Sequence, residues 1–238
     1  MNKIILLVSV MFTNLIGNAQ KQFVVDPNAE MRSINGSFNK IKVSNAIDLY
    51  LSQADNESLA ISASEDRYKG NIKTVVENNT LKIYYEGDRS WLRKGHKVKV
   101  YVSFKELDEL EASGASDVVI AGTLKAEILK INLSGASDLG GRIEAGYLDV
   151  ECSGASDINI SGHATIVKIR SSGASDFKDY DFVTDNCTVD CSGASDVKIT
   201  VNKELSGHAS GASSVYYNGS AVLKDIQTSG SSKVNKKG

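Results

Sequence analysis

Five aspartates, Asp117, Asp138, Asp157, Asp176 and Asp196, recur at intervals of 21, 19, 19 and 20 residues, each closing the same word, Ser-Gly-Ala-Ser-Asp. A spacing that even stacks the carboxylates on successive turns of a repeat. Like charges about 5 Å apart repel by about 0.8 kcal/mol per neighbouring pair even in water, so the stack needs a counterpart. One is a hard cation: Asp138, Asp157 and Asp176, with corner carbonyls, are candidate calcium ligands. Another is a hydroxylated or cationic partner bound across all five. The third, favoured by the ordinary use of Asp in turns, is that each carboxylate bonds local backbone and is solvated. The serines at the fourth position, from Ser116 to Ser232, pose the same choice: a hydroxyl face for a polysaccharide, or hydroxyls that satisfy one another and the backbone.

A second cluster lies between two apolar stretches, where Arg89, Trp91, Arg93, Lys94, His96 and Lys97 gather around the sole Trp of the chain. Trp91 and Arg93 are candidate binding residues, because loops carry function on rigid scaffolds. The plainer reading is a hairpin connection whose Trp packs on its neighbours. Catalytic signatures are sparse. His96, His163 and His208 are scattered, and neither a nucleophile elbow nor a metal-spaced His or Cys pair occurs. Carboxylates about 5 Å apart match the separation in retaining glycosidases, so a lyase or glycosidase is the alternative. Five identical copies nevertheless read as architecture, and no catalytic residue or cofactor beyond calcium is assigned.

The elements that hold these residues follow from the repeat. The word begins at Ser113, Ser134, Ser153, Ser172 and Ser192, and returns weakened at Ser210 and Ser229. Before each copy, apolar and polar residues alternate, as in Leu148, Val150 and Cys152 around Asp149 and Glu151. After each copy an apolar residue restarts the pattern, from Val118 to Val234. A period of two marks half-buried strands, so the word is a corner between strands. Units of 18 to 21 residues cannot bury a face alone and must stack. The expected fold is all-β: a right-handed parallel β-helix of about seven coils over residues 105–238. A β-rich capping region over residues 20–104 precedes it, with the alternation but without the word.

Composition agrees. The chain has 238 residues, 27 basic against 29 acidic side chains, 20 Gly, one Pro and 7% aromatics. A net charge of −2 offers no basic stripe, which excludes a nucleic-acid binder. Residues 1–19 combine Lys3, the apolar run Ile4 to Phe12 and a small-residue ending at Ala19, the pattern of a signal peptide. Export to the periplasm, the outer surface or the medium is expected, with no transmembrane segment after cleavage. Cys152 and Cys191 fall at the same repeat position two coils apart, about 9.6 Å, and Cys187 lies about 13 Å along the strand from Cys191. Both gaps exceed disulfide reach, so three free buried thiols are expected.

The run Phe38 to Leu51 (Phe-Asn-Lys-Ile-Lys-Val-Ser-Asn-Ala-Ile-Asp-Leu-Tyr-Leu), Leu81-Lys82-Ile83-Tyr84-Tyr85, the step Leu107 to Leu110 and the first word at Ser113 resemble a known family. It is the auto-transporter adhesin head GIN domain family, common in secreted proteins of Bacteroidetes-type bacteria. The resemblance runs from about Ile34 to the C-terminus and implies a β-helical fold and surface adhesion, with no catalytic residues. The expected function is a non-enzymatic binding module of the cell envelope, with a surface glycan or an envelope protein as partner. A purely structural envelope protein is a further alternative.

Overall fold

The computed structural model describes residues 26–88 and 97–237. In chain order the strands are β1 (Glu30–Arg32), β2 (Lys40–Val43), β3 (Ile47–Gln53), β4 (Ser58–Ala63), β5 (Ile72–Glu77), β6 (Thr80–Tyr85), β7 (Val98–Phe104) and β8 (Glu109–Ala112). The long strands follow: β9 (Val118–Leu133), β10 (Leu139–Cys152), β11 (Asp157–Ser171), β12 (Asp176–Cys191) and β13 (Asp196–Ala209). Three short ones end the chain, β14 (Ser214–Asn218), β15 (Val222–Thr228) and β16 (Lys233–Lys236). All sixteen join one sheet, wound into a β-solenoid of about seven turns.

Alternation builds each turn. Leu148, Val150 and Cys152 before one word, and Ile158 and Ile160 after it, are all at most 1% exposed. Their intervening neighbours face out. From β9 to β13 each strand pairs in parallel with the next, as in Leu139 with Ile158 and Val150 with Ile169. A strand this long must bend to stay on the coil. Gly162, at φ +120°, marks such a bend, where an L side chain would be strained. The two halves of β9 accordingly pair with different strands, the first with β3 and the second with β8.

At the N-terminal end stacking order departs from chain order. Strand β2 lies between β6 and β8, and β3 lies between β7 and β9, all in parallel. The turn built from residues 40–53 is thus inserted beneath the first word-bearing turn, and strands β6 and β7 lie outside it. Antiparallel strands then close the end, β4 and β1 beyond β7, and β5 beyond β6. Residues 20–104 and 105–238 consequently share one sheet and, where described, one hydrophobic core, from Phe38 to Tyr217.

The other end is open. β15 stacks on β13 and β16 on β14, and no described strand covers their outer edges. Val222 and Leu223, on this last turn, are 69% and 43% exposed. Cys152 and Cys191 are separated by Ser171 on the turn between them, and all three cysteines are buried and free. No helix among the described residues is long and apolar enough to cross a membrane. The expected leader, residues 1–19, lies outside the described residues.

Candidate functional site

The corner word is a stack of backbone. Ala155 N–H donates to Gly135 O and Ala174 N–H to Gly154 O, both at 2.8 Å, so each corner rests on the one before. Gly173 has φ +79°, and a Cβ there would stand 2.5 Å from Gly154 O. Only glycine permits both the conformation and the approach.

The fourth-position serines turn inward. Ser116, Ser137, Ser156, Ser175, Ser195 and Ser213 are fully buried. Ser137 N–H donates to Ser156 Oγ, and Ser156 N–H to Ser175 Oγ, each at 3.3 Å. The hydroxyls themselves donate within their own corner, Ser156 Oγ to Ser153 O at 3.1 Å and Ser213 Oγ to Ser210 O at 2.8 Å. Of the two readings of these serines, the hydroxyl face for a polysaccharide is ruled out for the six buried ones: these groups staple the corners from inside, because a buried amide left unbonded is costly.

The aspartates face out and form one column, with Asp157 beside Asp176 in strand register. Asp138 and Asp176 bond the backbone of the following turn rather than their own. Asp157 N–H donates to Asp138 Oδ1 at 3.2 Å, and Asp196 N–H to Asp176 Oδ1 at 3.0 Å. Lys178 donates to Asp157 and reaches Asp176 Oδ2 at 3.8 Å, so an ammonium already bridges the middle of the column. A calcium site needs several oxygens converging on one point. These carboxylates are strung along a line, and no group of three His, Cys, Asp or Glu among the described residues is gathered to hold a metal ion.

The column has a sixth member that the spacing did not reveal. Leu49 N–H donates to Asp117 O at 2.7 Å and Ser113 N–H to Val43 O at 3.0 Å, which sets Ser44-Asn45-Ala46-Ile47-Asp48 directly beneath the first word. Asn45, with φ +70°, takes the place of the glycine; Asn is among the few other residues that adopt it readily. Ile47 replaces the inner Ser, and Asp48 extends the carboxylates. The surviving signal was Ser, Ala and Asp at their proper spacing, without the Gly. On the next turn out, the chain leaves the corner at Tyr85 and returns at Val98. The sequence between them carries the basic cluster, and Trp91 and Arg93 lie outside the described residues.

Charge along the column is uneven. Burial, reinforced by the adjacent Asp117 carboxylate, raises the Asp48 pKa above the usual carboxylate value, against the pull of Lys97 and Lys99. Burial and then Asp138 raise Asp117 in the same direction. Lys99 is paired with Asp48 at one end, and Asp196 is followed by Ser214 and Lys233 at the other. Two residues along from Asp48, Tyr50 stacks on Tyr101 with ring centroids 5.0 Å apart, beside Val119, which is 42% exposed. Carboxylates, an aromatic pair and a small apolar step thus share the N-terminal part of this face.

Fold and column together define a β-solenoid that displays outward side chains in straight rows on a rigid frame. The chain belongs to the family described as "Putative auto-transporter adhesin, head GIN domain", whose model matches residues 37–221. A solved protein from Bacteroides fragilis NCTC 9343, described as a "putative adhesin", superposes with a TM-score of 0.77 at 21% identity, over 88% of this chain and 96% of that one. A "putative adhesin" from Parabacteroides merdae ATCC 43184 gives 0.69 at 17% identity, over 89% and 97%. A "putative lipid binding protein" from Parabacteroides distasonis ATCC 8503 gives 0.67 at 18% identity, again over 89% and 97%. At such identities the likeness is one of fold. No curated protein matches the chain.

Proposed function

We propose that this chain is an exported, non-enzymatic binding module of the bacterial cell envelope, and that it recognises a surface glycan through the outward aspartate column. The observation that carries this reading is the column itself: six carboxylates, Asp48 to Asp196, held in line by backbone hydrogen bonds across turns. Fixed acceptors in a row suit a hydroxyl-rich or amino-bearing chain, since hydrogen bonds to an ionised acceptor are about twice as strong as neutral ones. Membership of an adhesin family is consistent with a surface role.

The test is a glycan and polysaccharide screen of residues 20–238, run with calcium and again with chelator. Asp157→Ala combined with Asp176→Ala should abolish binding while the circular dichroism spectrum stays unchanged, and no bound polysaccharide should be cleaved. Calcium-dependent binding would assign a cation to Asp138, Asp157 and Asp176. Unchanged binding by the double variant would remove the column from the site. The open last turn favours a second reading, an envelope protein that pairs with β15 or β16, since unpaired strand edges beside exposed Val222 and Leu223 are templates for another chain.

A further inference from the structure

Halfway round the coil from the corner words, the register lines up three short columns on β9, β10 and β11. Lys125, Glu144 and His163 form the first; Ala126, Ala145 and Ala164 the second; Ile128, Tyr147 and Ile166 the third. Ala126 and Ala145, half-buried between larger neighbours, floor a shallow trough along the solenoid axis, while Ala164 is fully buried. A shallow hollow of about 520 Å³ lies over Ala126 and Ala145, and a second of about 680 Å³ continues it to Gln53 and Leu107. Both are lined by Lys125, Ala126 and Glu127, so they are parts of one groove.

Two properties set this groove apart. Ile128 on its lining is 59% exposed, and Ile166, in the column that flanks it, is 45% exposed, in a protein whose inward aliphatic positions are almost completely covered. Part of its polar rim is also uncommitted. No hydrogen bond or ion pair engages the side chains of Lys125, Glu127, His163 or Tyr147 among the described residues. Other rim groups are committed, Glu144 to Arg142 at 3.1 Å and the Gln53 amide to Lys105 O and Lys125 O at 3.0 Å each.

The chemistry selects a ligand class. Lys105, Lys125 and Arg142 nearly balance Glu106, Asp108, Glu127 and Glu144, so the groove favours an uncharged ligand over a polyanion or polycation. Free donors and acceptors of both signs suit hydroxyl groups, and Ile128, Tyr147 and Ile166 suit apolar C–H faces. The rungs stand about 4.8 Å apart, so a linear polymer along the axis crosses one rung at each step. The groove is open along its length and would leave a lipid chain half in water. The geometry points to a second binding site, distinct from the aspartate column, that takes a neutral linear oligosaccharide across Ala126 and Ala145 with Tyr147 as its stacking platform. This inference rests on the glycan-binding reading but not on the aspartate column.

The test is titration of residues 20–238 with cellohexaose, maltohexaose and mannohexaose, followed by amide chemical shifts and calorimetry. At least one should bind with shifts centred on Ala126, Ala145 and Tyr147. Tyr147→Ala combined with Ile128→Ser should weaken it by about tenfold or more, the order seen when anchoring contacts are truncated. Glu127→Gln should weaken it less. Both variants change outward side chains, and unchanged melting temperatures would show that they remain folded. Asp157→Asn combined with Asp176→Asn should leave hexasaccharide affinity unchanged. Binding that survives the groove variants, or is lost only with the aspartate variants, overturns the groove while the glycan reading stands. Absence of binding by every hexasaccharide overturns the groove alone if charged glycans still bind in the wider screen, and both proposals if no glycan does.

Discussion

Gly173→Ala and Gly122→Ala place one methyl group at nearly the same backbone conformation, φ +79° and φ +86°, in two different surroundings. At Gly122 nothing lies within 4 Å of the added Cβ, so the cost is conformational alone. A left-handed residue with a Cβ costs about 1–2 kcal/mol, offset by about 0.4–1 kcal/mol from the stiffer unfolded chain, a net loss near 1 kcal/mol. At Gly173 the Cβ meets Gly154 O at 2.5 Å and Gly154 N at 3.1 Å, backbone atoms that cannot rotate away. Relief requires the turns to separate, which stretches the 2.8 Å bond from Ala174 N–H to Gly154 O. Overpacking of about 1–3 kcal/mol and a hydrogen bond of about 1 kcal/mol add to the conformational term, giving roughly 3–5 kcal/mol in all. The difference between the two variants, about 3 kcal/mol, corresponds to roughly 6–12 °C in melting temperature for a chain of this size. Thermal unfolding by circular dichroism at matched concentration measures it. Equal losses for the two variants would refute the stacked-corner account, because only the neighbouring turn distinguishes them.

Ser156→Ala should destabilise by about 1–3 kcal/mol, since it strips the buried Ser137 N–H of its acceptor; Ser156→Thr, which retains a hydroxyl, should recover part of the loss if the second methyl is accommodated, and urea unfolding reports both. Burial pushes the Cys152 and Cys191 thiols up to about 12 and raises Cys187 as well. None should react with a disulfide reagent at pH 8 in the folded protein, and all three should react in denaturant; fast labelling of the native state would contradict the inward register. For Asp48 and Asp117 the raised native pKa means that the folded state holds its protons more tightly. Their contribution is fully present below the ordinary Asp value, about 4, and is lost as pH rises through the raised native value. Asp117→Asn should therefore stabilise at pH 7 by up to about 0.8 kcal/mol per like-charged neighbour before salt screening, and should give no gain at pH 3. A loss of stability at pH 7 would show that the carboxylate is favourably partnered instead.

The period of the word and the alternation beside it determined the stack, the corner and the outward aspartates, because a strand's facing is set by every second residue and glycine stands where a corner cannot accept a Cβ. The separation of Cys152 from Cys191 followed from the same counting. Other features depended on which turn lies against which. Asp48 joined the column only because residues 40–53 are inserted beneath the first word, a placement made by pairing between segments far apart in the chain. The direction of Ser156 was undecided by its type, since a hydroxyl serves a surface or an interior equally; the unbonded Ser137 amide beside it settled the matter. The groove over Ala126 and Ala145 was likewise invisible in the chain. Those alanines, and the side chains of Lys125 and Tyr147 around them, become one surface only when three bends are brought into register a strand spacing apart.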